Sequence, residues 1–309
     1  MKPRVLVICG PTASGKSALA LELAGRLDGE IISADSLQVY RGMDIGTAKP
    51  STEERARIPH HLIDIADPDQ PFSAADFAEA ADAAIRDISS RGRRPIVAGG
   101  TGLYIRALLK GLVDSPGGAD DFRQALHEEA GRLGNGALLE RLRRVDPELA
   151  ERLHPNNLPR IIRALEVHHL TGIPLSRYQQ DHGFSGRRYR NLQTGIRVGR
   201  PLLYSRIDQR VDRMLEQGLM QEVRHLMNAG YGPESKAMRS IGYKEMTAHL
   251  AGECSLDEAI RLIKRNTRHY AKRQMTWFNA DQDILWLEYP AEFDTILKHA
   301  IDFFDQREE

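Results

Sequence analysis

The sequence contains little cysteine, no excess of charge of either sign and no long hydrophobic run. Its two cysteines, Cys9 and Cys254, are too few for a disulfide framework or a four-cysteine zinc site within one chain. The apolar stretch at residues 5–9 is too short for a signal sequence or a membrane span. These absences lead us to expect an unprocessed, soluble protein of the reducing cytoplasm that has no membrane association.

The charges are balanced overall but unevenly distributed along the chain. Lys plus Arg number 43 and Asp plus Glu number 43, which argues against a protein coated in nucleic acid, because such domains are usually strongly basic. Residues 187–213 nevertheless contain eight arginines and two acids, and residues 261–273 contain six Lys or Arg and no acid. The C-terminal half therefore carries two basic zones.

The first third of the chain has the pattern of a parallel sheet covered by helices. Short apolar stretches typical of strands alternate there with stretches of helical period. The predicted strands are residues 5–9, 30–34 and 95–98, and the predicted helices are residues 16–27 and 74–89. Ser73, with Asp76 three residues on, forms a capping box that marks the start of the second helix.

The middle of the chain interrupts this pattern. Between residues 114 and 189 helical pieces follow one another without strands, which predicts an all-helical insertion. Strand character returns at 191–198, and a long helix from 202 to 228, closed by Gly230, and a strand at 283–287 follow. We predict a core built from residues 1–113 and 190–309, with the insertion domain at 114–189.

A phosphate-binding loop follows the first predicted strand. Residues 10–17 read GPTASGKS and match the pattern G-x-x-x-x-G-K-[ST] between a strand and a helix. Such a loop wraps a phosphate with backbone N–H groups, while its lysine adds a positive charge and its last residue ligates Mg²⁺. The predicted phosphate-binding residues are Gly10, Pro11, Thr12, Ala13, Ser14, Gly15, Lys16 and Ser17, and Ser17 is the predicted metal ligand.

Two further polar residues follow predicted strands. Asp35 lies directly after the strand at 30–34, at the sheet edge where open α/β sheets bind their ligands. It is a candidate general base, although an aspartate at a strand end more often caps a helix or ligates Mg²⁺. Thr101 lies in a glycine-containing turn after the strand at 95–98, and a purely structural turn explains those glycines about as well.

Seven segments together closely resemble the tRNA dimethylallyltransferases, also called tRNA isopentenyltransferases. The segments are GPTASGKS at 10–17, ADSLQVYRGMDIGTAKP at 34–50, HHLIDI at 60–65, AGGTGLY at 98–104, residues 154–167, SIGYKE at 240–245 and YAKRQMTWF at 270–278. The resemblance covers nearly the whole chain. It implies an α/β fold with a P-loop NTPase-like parallel sheet flanked by helices, an all-helical insertion domain and the bacterial type, without the C-terminal zinc finger of eukaryotic members.

The resemblance also implies a reaction and its partners. A member of this family transfers the dimethylallyl group of dimethylallyl diphosphate to N6 of the adenosine 3′-adjacent to the anticodon in tRNA, with Mg²⁺ as cofactor. Asp35 would then be the base at the adenine amine, and Thr12, Lys16 and Ser17 would contact the diphosphate and its metal. The implied tRNA contacts are Asp35, Ser36, Leu37, Gln38, Thr101, Arg123, Pro159, Arg160, Ile161, Ile162, Arg163, Arg239, Ser240, Ile241, Gly242, Tyr243 and Lys244.

This chemistry suits the residue types. An allylic diphosphate is displaced when its leaving group is neutralised, and the loop, Lys16 and Mg²⁺ can supply that stabilisation. The adenine amine is a poor nucleophile because its lone pair is delocalised into the ring, so a carboxylate such as Asp35 that accepts its proton assists attack. The target base must leave the anticodon-loop stack to react, which favours a pocket that receives a flipped base.

The basic zones supply further candidates. Arg206, Arg210 and Arg213 share one face of the predicted helix after residue 202, unless they only form a solvated surface with nearby acids. We predict Arg206 as the second cation on the diphosphate, with Arg210 as the alternative, and place it in a catalytic set with Asp35, Thr12, Lys16 and Thr101. The cations of residues 261–273 have no acid among them and suit either a surface that follows RNA phosphates or a solvated face.

Three rival functions use some of the same features. A small-molecule kinase has the same phosphate loop but less need of a helical insertion and two basic zones. A prenyltransferase that acts on free adenylate uses nearly the same chemistry, and a non-catalytic RNA-binding nucleotide sensor binds RNA without turnover. We expect a monomer whose partners are the anticodon stem-loop of tRNA and dimethylallyl diphosphate.

Overall fold

The chain divides into two compact units. The computed structural model describes residues 2–113, 115–183 and 188–306. The first unit comprises residues 1–109 and 187–309, and the second comprises residues 110–186. Asp114, where the predicted insertion begins, and Arg187, where the first basic zone begins, lie outside the described residues.

A six-stranded parallel sheet forms the centre of the first unit, which confirms the predicted fold class. The strands are β1 (Arg4–Cys9), β2 (Gly29–Ser33), β3 (His60–His61), β4 (Arg94–Gly99), β5 (Arg190–Ile196) and β6 (Ile284–Leu287). Their spatial order is β3-β2-β4-β1-β5-β6, and every neighbouring pair is parallel. Because helices cover both faces of such a sheet, its central strand β1 reads as an unbroken apolar run.

Helices connect and cover these strands. In chain order they are α1 (Lys16–Leu27), α2 (Thr52–Arg57), α3 (Ala74–Ser90), α4 (Gly102–Lys110), α5 (Asp120–Leu133), α6 (Asn135–Val145), α7 (Pro147–Glu151), α8 (Leu158–Thr171), α9 (Leu175–His182), α10 (Arg200–Glu216), α11 (Leu219–Asn228), α12 (Tyr243–Leu250), α13 (Leu256–Asn279) and α14 (Phe293–Asp305). The predicted capping box opens α3, where Ser73 and Asp76 each accept from the other's backbone N–H.

Alternate residues of β1 build two apolar cores on opposite faces of the sheet. Val5 and Val7 pack with α3 and α4, whereas Leu6 and Ile8 pack with α1 and α14. In a third core, the four helices α10, α11, α12 and α13 pack against the segment after β2. This core contains Tyr40, Met43 and Tyr243. This third core matters for function because it supports the loops that follow β2.

The long helix predicted between residues 202 and 228 is wrong, because the structure contains two helices there. The backbone of Gly218 has φ +102°, a left-handed conformation that ends α10 at Glu216 and lets α11 begin at Leu219. The predicted end is confirmed, since α11 stops at Asn228 and the Gly230 N–H donates to the Met227 carbonyl.

The second unit contains only helices among its described residues, α5 to α9, packed around Leu138, Leu142, Ile161 and Leu165. Pro159 lies in the first turn of α8, where its missing N–H costs nothing. Across the described ranges of the whole chain, no helix is both long and apolar enough to cross a membrane.

Candidate active site

The phosphate-binding loop connects β1 to α1. Gly10 at φ +150° and Gly15 at φ +101° take conformations that favour glycine, and they let the loop curl over the first turn of α1. Helix α1 begins at Lys16, so the loop surrounds the positive end of a helix dipole. The Lys16 ammonium reaches the Pro11 carbonyl at 3.3 Å.

Lys16 is partly buried and forms no salt bridge with any described residue. Burial lowers its pKa from 10.5 to about 8, although the negative charge of Asp35 acts in the opposite direction and Arg210 lowers it further. A partly desolvated ammonium without a direct ion pair is held at a cost, and an anionic ligand would reduce that cost. The loop is therefore suited to bind a diphosphate.

Asp35 follows β2 and faces the same cavity as Lys16. Its Oδ1 accepts backbone N–H groups from Leu37 at 2.9 Å and Gln38 at 3.4 Å, so the capping role weighed against a base is partly present. No hydrogen bond to Oδ2 is found among the described residues. One oxygen of Asp35 therefore fixes the turn, while the other is available to a substrate.

The turn after β4 is pressed against the turn after β2. A Cβ on Gly99 would lie 2.1 Å from the Ala34 carbonyl oxygen, so only glycine fits where the backbones of these two turns approach each other. The Thr101 hydroxyl accepts the Ser36 N–H at 3.1 Å. Thr101 thus joins the two turns, and it does not itself line the cavity.

Helix α13 contributes two residues, Tyr270 and Gln274, to which our sequence analysis assigned no individual role. Gln274 accepts the Thr12 N–H at 2.9 Å and donates to the Gly100 carbonyl at 2.9 Å, so it links the phosphate loop to the turn after β4. Burial raises the pKa of Tyr270 to about 12, with Asp35 adding to the shift, so its phenol stays protonated at neutral pH. The segment YAKRQMTWF contains both residues, and it was the one available signal.

A cavity of about 330 Å³ collects most of these groups within the first unit. Predicted residues that line it are Thr12, Lys16, Ser17, Asp35, Ser36, Leu37, Gln38, Arg239, Ser240, Ile241 and Gly242. Arg210, Val211, Met214, Ile263, Tyr270 and Gln274 line it as well. The cavity therefore offers cations and donors to an anion, apolar side chains to a hydrocarbon and a carboxylate to a proton donor.

Arg210 rather than Arg206 lies in the cavity wall. The Arg210 guanidinium donates to the Thr47 carbonyl at 3.3 Å, and burial lowers its pKa, while Asp35 opposes that shift. Arg206 lies 3.5 Å from the Ser14 carbonyl in the phosphate loop and does not line the cavity. The geometry favours Arg210, the alternative in the sequence analysis, as the second cation beside Lys16.

The segment Arg239 to Lys244 is divided by its burial. Arg239, Ser240, Ile241 and Gly242 line the cavity, whereas Tyr243 is fully buried in the third core. The Tyr243 hydroxyl donates to Glu222 at 2.7 Å, so its side chain is used within the core. Lys244 is about half exposed beside Glu245.

Helix α8 of the second unit carries five predicted tRNA contacts with different surroundings. Ile161 and Ile162 are buried in the helical core, so any contact with RNA falls to the exposed Pro159 and Arg160. Arg163 donates to the fully buried Glu166 at 2.6 Å. Arg123 of α5 forms a two-point ion pair with the same carboxylate.

The expectation that α13 has no opposing acids is wrong once the helices are packed. Arg268 donates through Nε and Nη2 to the carboxylate of Asp208 in α10, and Lys264 lies 2.6 Å from Asp212 of α10. Arg261 pairs with Glu258 within its own helix. Asp208 and Asp212 lie on a neighbouring helix about fifty to sixty residues away in sequence, so a count along α13 could not find them.

The cavity contains few side chains that could bind a metal ion. Among the described residues, no group of three or more His, Cys, Asp or Glu side chains could hold a metal ion. Ser17 and Asp35 nevertheless line one cavity. Mg²⁺ is commonly held by one or two protein oxygens together with substrate phosphates and water, and this pair fits that mode of binding.

Comparisons with known proteins give one consistent result. A family model described as IPP transferase matches residues 38–281. The chain is 68% identical to tRNA dimethylallyltransferase 1 of Pelobacter propionicus, over 98% of both chains. It is 61% identical to tRNA dimethylallyltransferase of Geobacter metallireducens, again over 98% of both.

Solved structures agree with these sequence relatives. The crystal structure of the full-length tRNA isopentenylpyrophosphate transferase from Bacillus halodurans superposes with a TM-score of 0.72 at 41% identity, covering 98% of this chain and 97% of that one. A eukaryotic dimethylallyltransferase, solved in structures that show it acting on tRNA, has a TM-score of 0.81 at 31% identity. That comparison covers 99% of this chain and 80% of the eukaryotic chain.

Proposed function

This chain belongs to the IPP transferase family and is a tRNA-modifying prenyltransferase, and we propose that it transfers the dimethylallyl group of dimethylallyl diphosphate to N6 of the adenosine 3′-adjacent to the anticodon. The observation that carries the proposal is the shared lining of one cavity by Lys16, Arg210, Asp35 and apolar side chains. These groups correspond to the diphosphate, the proton and the prenyl chain of the reaction. The action of the relatives on tRNA supports the choice of acceptor.

The donor is bound by its charged end. The N–H groups of the phosphate loop, Lys16 and Arg210 stabilise the diphosphate as its bond to C1 of the prenyl group breaks. Burial lowers the pKa of both cations, and a bound anion would favour their charged forms. When bound, Mg²⁺ would be held by the Ser17 hydroxyl and the diphosphate, with Asp35 near, and it would neutralise part of the leaving-group charge.

The acceptor is activated by Asp35. The adenine N6 forms a bond to C1 of the dimethylallyl group, the C1–O bond to diphosphate breaks, and the N6 proton passes to Asp35 Oδ2. Leu37 and Gln38 hold Oδ1 through their backbone N–H groups, so the carboxylate is oriented before the base arrives. Much of the rate is expected from holding amine and C1 together in a site that excludes water.

The second unit is proposed to recognise the RNA. Arg160 is exposed on α8, and no ion pair of its side chain is found among the described residues. Pro159 is exposed beside it, and Arg123 and Arg163 present guanidinium groups oriented by Glu166. We take these residues as contacts for the anticodon stem-loop and expect the protein to act as a cytoplasmic monomer.

A matrix of donors and acceptors tests the function against its rivals. Labelled ATP or dimethylallyl diphosphate is combined with unmodified tRNA or AMP, in the presence of Mg²⁺, and label transfer is measured. We expect transfer only from dimethylallyl diphosphate to tRNA. Phosphate transfer from ATP would support a kinase, prenylation of AMP would support a free-adenylate enzyme, and RNA binding without any transfer would support a non-catalytic sensor.

A further inference from the structure

Glu222 of α11 is hydrogen bonded by four uncharged donors. Its Oε2 accepts the backbone N–H groups of Asp44 at 2.8 Å and Ile45 at 2.7 Å. Its Oε1 accepts the N–H of Gly46 at 3.0 Å and the hydroxyl of Tyr243 at 2.7 Å. Three consecutive backbone N–H groups that converge on one carboxylate form an anion-binding arrangement, and here the anion is a side chain of the protein itself.

The loop held in this way forms one wall of the cavity. Gly46, Thr47 and Ala48 line it, and Glu222 itself does not. The Thr47 carbonyl accepts hydrogen bonds from Gln38 at 3.3 Å and from Arg210 at 3.3 Å. The position of the loop therefore determines where the Arg210 guanidinium is anchored, and Arg210 is one of the two cations facing the proposed diphosphate.

Tyr243 connects the same carboxylate to a second wall. It directly follows Gly242 of the cavity lining, and its ring covers Gly46 so closely that an added Cβ would lie 2.5–2.7 Å from ring atoms and the hydroxyl. Burial raises the pKa of Tyr243 well above its ordinary value, and the nearby charge of Glu222 adds to the shift. The phenol therefore remains a donor, and Glu222 fixes the spacing between the walls at 46–48 and 239–242.

We propose that Glu222 is a positioning residue for the transfer reaction, because it holds the loop at residues 44–48 and thereby places Arg210 against the donor diphosphate. This inference rests on the proposed function and extends it to a residue outside the cavity. A purely structural glutamate would be needed for stability, whereas a positioning glutamate also sets the affinity for the donor. The two roles can be separated by measuring whether the effect of a Glu222 substitution on KM requires Arg210.

The test is a double-mutant cycle in the full-length chain. Glu222→Gln places an amide NH₂ against the Gly46 N–H or its neighbours, so the loop loses part of its hold. We expect the KM for dimethylallyl diphosphate to rise about tenfold while kcat changes less than about threefold. In an Arg210→Ala background the same substitution should raise KM by less than about twofold, because its effect passes through Arg210.

Two further variants keep the proposal falsifiable if Glu222→Gln folds poorly. Tyr243→Phe keeps the ring over Gly46 and removes one hydrogen bond, so it should raise the donor KM about threefold. The exposed Glu216→Gln, at the end of α10, changes the charge equally and should leave KM unchanged. The proposal would be overturned if Glu222→Gln or Tyr243→Phe lowered the melting temperature without changing KM. It would also be overturned if Glu222→Gln raised KM equally with and without Arg210.

Binding of inorganic diphosphate with Mg²⁺ separates this inference from the function. Calorimetry should show about tenfold weaker diphosphate binding for Glu222→Gln even if the wild-type protein transferred no prenyl group. In that case the proposed function would fail while the positioning role of Glu222 stood. Equal diphosphate affinity in wild type and variant, together with normal prenyl transfer, would refute the positioning role alone.

Discussion

The two units each contain a glutamate that organises a loop, and the two glutamates use their charge differently. In the first unit, every hydrogen bond that Glu222 accepts from a described residue comes from an uncharged donor. In the second unit Glu166 accepts the N–H groups of residues 118 and 119 and pairs with the guanidinium groups of Arg123 and Arg163. Glu222 therefore holds a loop without pairing with any cation that the structure describes, whereas Glu166 neutralises two arginines.

This difference indicates which groups neutralise the cations of each unit. Burial lowers the pKa of Lys16 and Arg210, and neither has a salt bridge among the described residues. Burial of Glu166 raises its pKa, but the hydrogen bonds from Arg123 and Arg163 outweigh that effect and the net shift is downward. The cavity therefore leaves Lys16 and Arg210 for an anionic ligand, whereas Glu166 of the second unit already pairs with Arg123 and Arg163 and holds them in fixed geometry.

The largest effect should come from Asp35→Asn in the first unit. The amide keeps the size of the side chain and one acceptor oxygen but cannot take the amine proton, so single-turnover transfer should slow by roughly two to four orders of magnitude. Donor and tRNA affinities should change little. The exposed Asp69→Asn is the control, and substantial recovery of the slow variant at high Mg²⁺ would reassign Asp35 as a metal ligand.

In the second unit Glu166→Gln should reduce stability by about 2 kcal/mol, because it leaves two guanidinium groups and two N–H groups without their carboxylate. Denaturant unfolding with hydrogen exchange locates the loss, which should fall within residues 115–183. Glu148→Gln removes an exposed pair with Arg152 at 3.1 Å and should cost less than about 1 kcal/mol. Equal losses of unfolding free energy in the two variants would mean that the hydrogen bonds and ion pairs of Glu166 contribute no more to stability than an exposed pair.

The pH dependence of donor binding tests the unbalanced charge of Lys16. Its lowered pKa of about 8 makes the free lysine increasingly neutral above that pH, while the diphosphate favours the ammonium form. Binding should therefore take up a proton, and the affinity should fall up to about tenfold per pH unit above about pH 8. Calorimetry in buffers of different ionisation enthalpy counts the proton.

Lys16→Arg serves as the control for that titration. A guanidinium keeps its charge over the same pH range, so this variant should bind with a nearly flat pH profile, whatever its absolute affinity. Absence of proton uptake by the wild-type protein at about pH 8.5 would show that the lysine is not held in the state described.

The smallest effects should separate two arginines that look alike in sequence. Arg160 is exposed, so Arg160→Ala should reduce the slope of log affinity for tRNA against log salt by about 0.7–0.9. Arg268 already satisfies Asp208 on α10, so Arg268→Ala should change the slope much less. Filter binding over a salt series gives both slopes, and an equal reduction would show that the ion pair with Asp208 does not limit contact with RNA.

Local patterns were sufficient for the elements that depend on neighbours in sequence. The phosphate loop, the start of α3 and the position of Asp35 just after β2 follow from short-range spacing, and the structure has them where predicted. The ion pair between Arg268 and Asp208 spans 60 residues, and the contact of Glu222 with the loop at 44–46 spans about 177. No spacing rule reaches that far, so these contacts needed the folded chain.

Burial also reversed a choice made from the sequence, which preferred Arg206 and kept Arg210 as the alternative. Arg206 and Arg210 share one helical face, and only packing against residues 46–48 places Arg210 in the cavity. Tyr243 belongs to the segment implied to contact tRNA, yet its hydroxyl is used by Glu222. Periodicity gives the face of a helix, but it does not give the identity of the element that covers that face.

Mass spectrometry of tRNA is the most direct test of prenyl transfer in the cavity of the first unit. Unmodified tRNA is incubated with the protein, Mg²⁺ and dimethylallyl diphosphate, then digested and sequenced by fragment mass, with Asp35→Asn as the parallel sample. The account predicts one dimethylallyl group on N6 of the adenosine 3′-adjacent to the anticodon, and little or none with the variant. An unchanged tRNA mass, or a prenyl group on another nucleoside, would contradict it.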